Sequence, residues 1–132
     1  MNYSKVLLRL SALFGFIGAF LGSHMAGAGD YAFRPIHAHI LVVGWLTLFA
    51  WAVYYKVFSP KIGILAKFHV YTAIIGSIGL TGGMALYIFK PAFLPSAVNT
   101  IFYIVGGSIL LLSFLLFLLV TFTKDEKQGK AS

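Results

Sequence analysis

Four long apolar runs dominate the sequence and restrict the folds that it can adopt. They cover about 6–26, 36–55, 68–89 and 97–122, and each is close to the roughly 20 residues that a helix needs to cross a bilayer. Of the 132 residues, 60% are hydrophobic and 10% are charged, whereas a soluble domain has roughly a quarter charged residues. Because the runs leave no stretch for a second domain, we predict one all-α integral membrane domain over residues 1–132, a four-transmembrane-helix bundle.

The charged residues lie at the ends of these runs and predict an orientation. The connector between the second and third runs is basic, and so are both terminal segments; the lysines and arginine concerned are Lys5, Arg9, Lys56, Lys61, Lys67, Lys124, Lys127 and Lys130. By the positive-inside rule, both termini and this connector face the cytoplasm. We therefore expect a multi-pass protein of the plasma (bacterial inner) membrane. Its net charge of +7 reflects topology and does not indicate nucleic-acid binding.

The second run opens with two histidines one residue apart, in the segment Arg34-Pro35-Ile36-His37-Ala38-His39. Ionisable side chains within an apolar span are costly unless they are bound to something. A helix turns about 100° per residue, so these two side chains point roughly 200° apart. They cannot both hold one small metal ion from a regular helix, but each can present a nitrogen to a different group. This spacing suits two flat cofactors, or one cofactor and one partner side chain.

The rise of a helix predicts which histidines share a depth. At 1.5 Å per residue, His24, His37 and His39 all lie within about 5 Å of the outer ends of their helices. His69 lies near the inner end of the third run, about 15 Å or more from the others in depth, and its position beside Lys67 predicts an interfacial residue. The chain contains no cysteine, which excludes disulfides, thiolate-bound iron–sulfur clusters and a thiolate haem ligand.

Small residues recur at helical spacing on two of the predicted helices. They follow the same i, i+4, i+7, i+11 pattern in the first and third runs: Ser11, Gly15, Gly18 and Gly22, then Thr72, Gly76, Gly79 and Gly83. Such smooth stripes let a neighbouring helix or a flat ring approach closely. We predict helix–helix packing there in preference to a cofactor wall.

The histidine pair also resembles a known motif. His37-Ala38-His39, followed by Gly44-Trp45, is similar to the tenth helix of subunit I in haem–copper oxidases, especially the C-family oxidases and their nitric oxide reductase relatives. The resemblance covers about 34–89, and the whole chain looks like the short four-helix proteins labelled as oxidase subunit I-like. It implies that His37 ligates a high-spin haem and His39 a low-spin haem. The additional haem and copper ligands of the large enzymes are missing, so terminal oxidase activity by this chain alone is not expected.

The first functional hypothesis is therefore a small membrane protein that binds one or two b-type haems. Candidate ligands are His37, His39 and His24, with His69 as a further candidate. Arg34 is placed to pair with a cofactor carboxylate; pairing with Asp30 and anchoring of the helix end are the other roles open to it. Two axial imidazoles would give an electron-transfer haem, whereas one imidazole and an open position would allow O2 or NO to bind. The second imidazole comes either from His24 or from another copy of the chain. We therefore expect a homo-oligomer, with an electron donor or a respiratory complex as a possible partner.

Two alternatives belong to other classes. One is a copper- or zinc-binding membrane protein that uses His24, His37 and His39, with Met25 or Met84 as soft ligands for copper(I). It requires an irregular start to the second helix, so that both histidines of the pair converge. The other is an accessory or assembly subunit of a respiratory complex that binds no cofactor.

Overall fold

The computed structural model describes residues 1–124 and places four long helices in that part of the chain. The helices are Tyr3–Ala28, Arg34–Val57, Ile64–Phe89 and Ser96–Val120, here called the first to fourth helices. Each is long and apolar enough to cross a membrane, which confirms the predicted all-helical, four-helix architecture. The first three helices extend beyond the predicted runs at one end or both. The fourth ends at Val120, two residues before the predicted limit.

Local sequence signals fix the ends of the first two helices. The Asn2 side chain accepts a hydrogen bond from the Lys5 backbone N–H at 3.0 Å, which caps the first helix. Gly29 ends the same helix with a φ of 65°, a left-handed conformation that costs glycine little. Pro35 occupies the first turn of the second helix, where its missing N–H has no helical partner to lose. The chain thus reverses within a few residues.

The four helices pack as two antiparallel hairpins. The first hairpin pairs the first and second helices, and the second hairpin pairs the third and fourth. The third and fourth helices touch through their backbones, since a methyl group at Gly76 would lie 2.6 Å from Leu110 Cα. The glycine stripes therefore serve helix packing, as expected. We call the end with Ala28, Arg34, Phe89 and Ser96 the histidine end and the opposite end the lysine end.

The second helix is not regular along its whole length. It is α-helical over Arg34–His39, becomes a π-helix over Ile40–Thr47 and returns to α-helix over Leu48–Val57. The Thr47 hydroxyl donates to the Val42 carbonyl at 2.8 Å, five residues back, where the wider turn leaves that carbonyl accessible. The irregular segment begins after His39, so the α-helical geometry holds for the histidine pair itself.

The two hairpins join through an aromatic cluster toward the lysine end. His69 lies in it with 0% exposure, in contact with the rings of Trp51 and Phe117 at centroid distances of 4.7 and 5.2 Å. Its Nδ1 is hydrogen-bonded to the Tyr55 hydroxyl at 2.8 Å. His69 is therefore a buried residue of the bundle, which its sequence position beside Lys67 did not indicate. Aromatic side chains of the second and fourth helices enclose the imidazole and remove it from the surface.

Candidate functional site

The three histidines of the histidine end lie on three different sides of the bundle. His37 is half-buried between the first and second helices, and its Nδ1 lies 2.9 Å from the Gly18 carbonyl oxygen. Its ring also lies against Gly22, where a methyl group would come within 2.9 Å of His37 Cε1. Part of the small-residue stripe of the first helix thus makes room for this imidazole.

His39 has the same hydrogen-bonding chemistry on another side of its helix. Its Nδ1 lies 2.8 Å from the Pro35 carbonyl oxygen, one turn earlier. Because a carbonyl oxygen only accepts, Nδ1 of each histidine in the pair must carry the proton. In a neutral ring of this tautomer, Nε2 carries the lone pair, and this is the nitrogen with which histidine would ligate a metal. No hydrogen bond among residues 1–124 uses Nε2 of His37 or His39.

His24 lies on an apolar groove at the histidine end, between the first and third helices. The groove has a volume of about 570 Å³, within the range of ligand pockets. The start of the second helix contributes Ile36 and Ile40 to it, and no charged side chain of residues 1–124 lines it. The lining residues are Phe14, Ile17, Phe20, Leu21, His24, Phe33, Ile36, Ile40, Thr81, Gly82, Ala85 and Phe89. His24 is the one side chain in this lining that ligates metals well.

Aromatic rings form the mouth of the groove beside His24. The Phe33 ring lies 6.4 Å from that of His24 and 5.2 Å from that of Phe89, measured between centroids. Phe33 immediately precedes the second helix, after a turn in which the Asp30 carboxylate accepts from the Ala32 N–H at 3.0 Å. This Asx turn orients the connector and brings Phe33 back over the bundle. The groove therefore has an imidazole and two aromatic rings at its outer edge.

Arg34 lies next to this mouth and is exposed. Its guanidinium carbon lies 4.4 Å from the centre of the Tyr31 ring, a cation–π contact. The Asp30 carboxylate is engaged by the Ala32 backbone. The structure thus shows Arg34 at the helix end as an exposed guanidinium stacked on Tyr31, a contact that the sequence did not predict.

The structure does not bring the predicted ligands together. Ile36 and Ile40 occupy the groove side of the second helix, so His37 and His39 are directed to its two flanks. Trp51 and Tyr55, which hold His69, lie about 18 and 24 Å beyond His39 along the helix axis. His69 therefore lies in a separate layer from the other three histidines.

The geometry that the copper alternative requires is also missing from the described chain. Within residues 1–124, no three His, Cys, Asp or Glu side chains form a group that could hold a metal ion. The start of the second helix is regular over Arg34–His39, so the two histidines of the pair diverge. Met25 and Met84 are both buried, with 5% exposure each.

Sequence reasoning did not find the groove or the Tyr55–His69 pair. Residues of the groove recur at i, i+3, i+7 and i+10 on the first helix, from Phe14 to His24, and at i, i+4 and i+8 on the third, from Thr81 to Phe89. This helical periodicity marks two apolar faces. It does not reveal that they border a common space, because that depends on how the hairpins pack.

Comparisons of the chain with protein-family models, with curated protein sequences and with solved structures find no match.

Proposed function

We propose that this chain is a multi-pass membrane protein that binds a b-type haem in the groove, with His24 as the axial ligand, and that it binds a diatomic gas there. One observation carries the proposal: an apolar groove of about 570 Å³ has a single imidazole, that of His24, at its outer edge. Haem needs this combination of flat apolar walls and an axial nitrogen.

The side chains of the groove fit such a ring. Aromatic surface comes from four side chains: Phe14, Phe20, Phe33 and Phe89. The small residues Gly82 and Ala85 leave space beside the third helix. Burial of a large apolar ring against these side chains would be favourable by roughly 25 cal/mol per Å². The bound iron would supply reversible ligand binding. The chain supplies the imidazole and the apolar lining, which excludes water from the ring.

The composition of the lining favours gas binding over electron transfer. It contains no second histidine and no methionine, so the chain itself offers one axial ligand and leaves the opposite side open. The Thr81 hydroxyl, the other polar side chain in the lining, donates to the Ser77 carbonyl at 2.8 Å. No free hydrogen-bond donor therefore faces the open side, and we expect tighter binding of NO or CO than of O2.

Arg34 is proposed to pair with a haem carboxylate at the mouth of the groove. It follows Phe33 directly and is exposed, and its contact with Tyr31 is a surface contact that solvent can replace. An arginine–carboxylate pair is bidentate and charge-assisted. This pairing would place the polar edge of the ring toward water at the histidine end.

The membrane setting remains part of the proposal. Four apolar helices and the basic lysine end support insertion in the plasma membrane, with the termini in the cytoplasm and the groove opening toward the outside. The resemblance of the His37–His39 pair to oxidase subunit I supports haem as the cofactor class. An electron donor or a respiratory complex remains the proposed partner.

Spectroscopy of the purified protein tests the haem proposal. The full chain in detergent should show a Soret band after expression with haem supply, and the reduced form should shift its visible bands on addition of CO or NO. The His24→Ala variant should lose this gas-responsive haem. His69→Gln is the matched histidine control and should keep it, because His69 lies in another layer.

A colourless protein with about one copper per chain would support the metal-binding alternative, and a protein with neither would support the accessory subunit.

A further inference from the structure

A pocket at the lysine end lies apart from the groove. It forms where the lysine-end connector enters the third helix and the chain leaves the fourth helix, and its volume is about 440 Å³. Its lining combines two lysines with apolar side chains and backbone: Lys61, Gly63, Ile64, Leu65, Ala66, Val120, Thr123 and Lys124. None of these residues lines the groove. The haem proposal therefore assigns no role to this pocket.

The backbone holds the two lysines of the pocket beside each other. The Lys61 N–H donates to the Lys124 carbonyl oxygen at 3.2 Å, which joins the connector to the chain after the fourth helix. Both lysine side chains are exposed. Of residues 1–124, Asp30 alone is acidic, and it lies in the connector at the histidine end. Because two neighbouring cations repel each other, an anion shared by both lysines would be favourable.

The surface around the pocket is apolar. Ile64 begins the third helix and is 75% exposed, and Phe68 lies exposed one turn further along the same face. Phe122, next to Thr123 in the chain, is 80% exposed. In the proposed membrane setting, these helix ends lie at the level of the lipid headgroups. A cationic pocket thus adjoins an apolar face that continues into the membrane.

We propose that this pocket binds the headgroup of an anionic phospholipid of the cytoplasmic leaflet. Lys61 and Lys124 hold its phosphate, and Ile64 and Phe68 lie along an acyl chain. This inference rests on the membrane setting of the proposed function and does not require haem. Basic pockets between transmembrane helices on the cytoplasmic side suit such headgroups.

Charge complementarity selects the class of lipid. The lining offers two ammonium groups, which donate charge-assisted hydrogen bonds to phosphate oxygens, and contains no carboxylate of residues 1–124. A lipid of net negative charge, such as phosphatidylglycerol, gains from both lysines. The choline group of phosphatidylcholine carries a positive charge that the same lysines repel. We therefore expect phosphatidylglycerol to bind more tightly than phosphatidylcholine.

Lipid retention by the purified full chain tests the inference. We expect native mass spectrometry from detergent to show one saturable phosphatidylglycerol per chain. Lys61→Gln/Lys124→Gln should weaken this binding about 30-fold, the loss expected from two lysines near an anionic surface. Lys56→Gln/Lys67→Gln is the matched control and should retain tight binding. It removes the same charge from exposed lysines of the same end that do not line the pocket.

Three outcomes would overturn the site. Equal weakening in both double variants would show attraction by net charge alone. Displacement of the lipid by inorganic phosphate would show that the pocket takes a free anion. Weaker lipid binding in Asp125→Asn/Glu126→Gln would contradict charge complementarity, because carboxylates that follow Lys124 in the sequence can only compete with a phosphate for the lysines. We expect that variant to bind at least as tightly as the wild type.

The lipid measurement is distinguishable from the test of the proposed function. Saturable phosphatidylglycerol on a protein that binds no haem would support this inference and refute the haem proposal. A haem-binding protein whose lipid retention is unchanged in Lys61→Gln/Lys124→Gln would refute the lipid site alone.

Discussion

At the scale of single residues, the chemistry is decided by which nitrogen of each imidazole is already in use. His37 and His39 both have Nδ1 bonded to a backbone carbonyl, which leaves Nε2 of each ring as the nitrogen not used within the bundle. His69 instead has Nδ1 bonded to a hydroxyl and lies fully buried. The single-residue environment of His24 is different again, because its ring is exposed at the edge of an apolar groove. Each histidine therefore has its own predicted response to substitution.

The first prediction concerns the axial ligand. Replacing His24 by alanine removes the nitrogen from the groove while leaving its apolar walls intact, so haem affinity should fall by about 100-fold, equivalent to about 2.8 kcal/mol. Haem titration of the apoprotein in detergent, followed at the Soret band, measures the change. Restoration of binding by added imidazole would identify the missing axial nitrogen as the cause. Unchanged affinity in His24→Ala would exclude the groove as the main haem site.

The second prediction compares two glycines of the first helix. A methyl group at Gly22 would lie 2.9 Å from His37 Cε1, whereas one at Gly27 would meet nothing within 4 Å. Gly22→Ala should displace the His37 ring from the Gly18 carbonyl and lower the free energy of unfolding by about 1–3 kcal/mol. Gly27→Ala should leave it unchanged or raise it by about 0.5–1 kcal/mol. Unfolding monitored by circular dichroism in detergent measures both, and equal effects would argue against the His37–Gly22 contact.

At the scale of elements, the first hairpin packs side chains of one helix onto glycines of the other, whereas the second hairpin is held by close backbone approach. Aromatic rings join the two hairpins toward the lysine end. The third and fourth helices meet at Gly76 and Leu110, where dispersion contacts between backbones replace side-chain packing. The join between hairpins uses Trp51, Tyr55 and His69. The groove lies away from this join, at the histidine end, where the first and third helices border open space.

The third prediction tests the contact between the third and fourth helices. A methyl group at Gly76 would lie 2.6 Å from the Leu110 backbone, while one at Gly107 would lie 3.5 Å from a flexible methyl group of Leu80. Gly76→Ala should therefore destabilise the protein by about 1–3 kcal/mol, and Gly107→Ala should be tolerated. Thermal unfolding of the two variants in the same detergent provides the comparison. A tolerated Gly76→Ala would mean that the helices separate easily.

The fourth prediction concerns the Tyr55–His69 hydrogen bond. Tyr55→Phe leaves Nδ1 of the fully buried His69 without its partner, which should cost about 1–3 kcal/mol of stability. The haem spectrum should not change, because Tyr55 lies about 24 Å beyond His39 along the helix axis. A double-mutant cycle with His69→Leu isolates the pairwise energy. A coupling energy near zero would contradict the hydrogen bond.

At the scale of the whole molecule, the two ends of the bundle have different chemistry. The connector at the lysine end carries basic side chains, and the histidine end carries His24, His37, His39 and the opening of the groove. In the proposed orientation, which follows the positive-inside rule, the lysine end faces the cytoplasm.

The fifth prediction tests this orientation by thiol labelling. The native sequence contains no cysteine, so single cysteines can be introduced without background. Ile62→Cys, exposed in the lysine-end connector, should react with a membrane-impermeant maleimide only after the cells are opened. Ala32→Cys, exposed in the histidine-end connector, should react in intact spheroplasts. The reverse pattern would mean that the groove opens toward the cytoplasm.

The sequence by itself determined the four helices, because runs of about 20 apolar residues have few alternatives to a helix that satisfies its own backbone hydrogen bonds. It also indicated the divergence of His37 and His39, which follows from the 100° turn per residue of a regular helix. Only the tertiary structure decided that His69 is buried, that His37 packs on Gly22 and that His24 borders a groove. These features depend on how each helix is rotated about its axis and on which hairpin faces meet. Helical periodicity fixes the faces of one helix but not the neighbour that each face contacts.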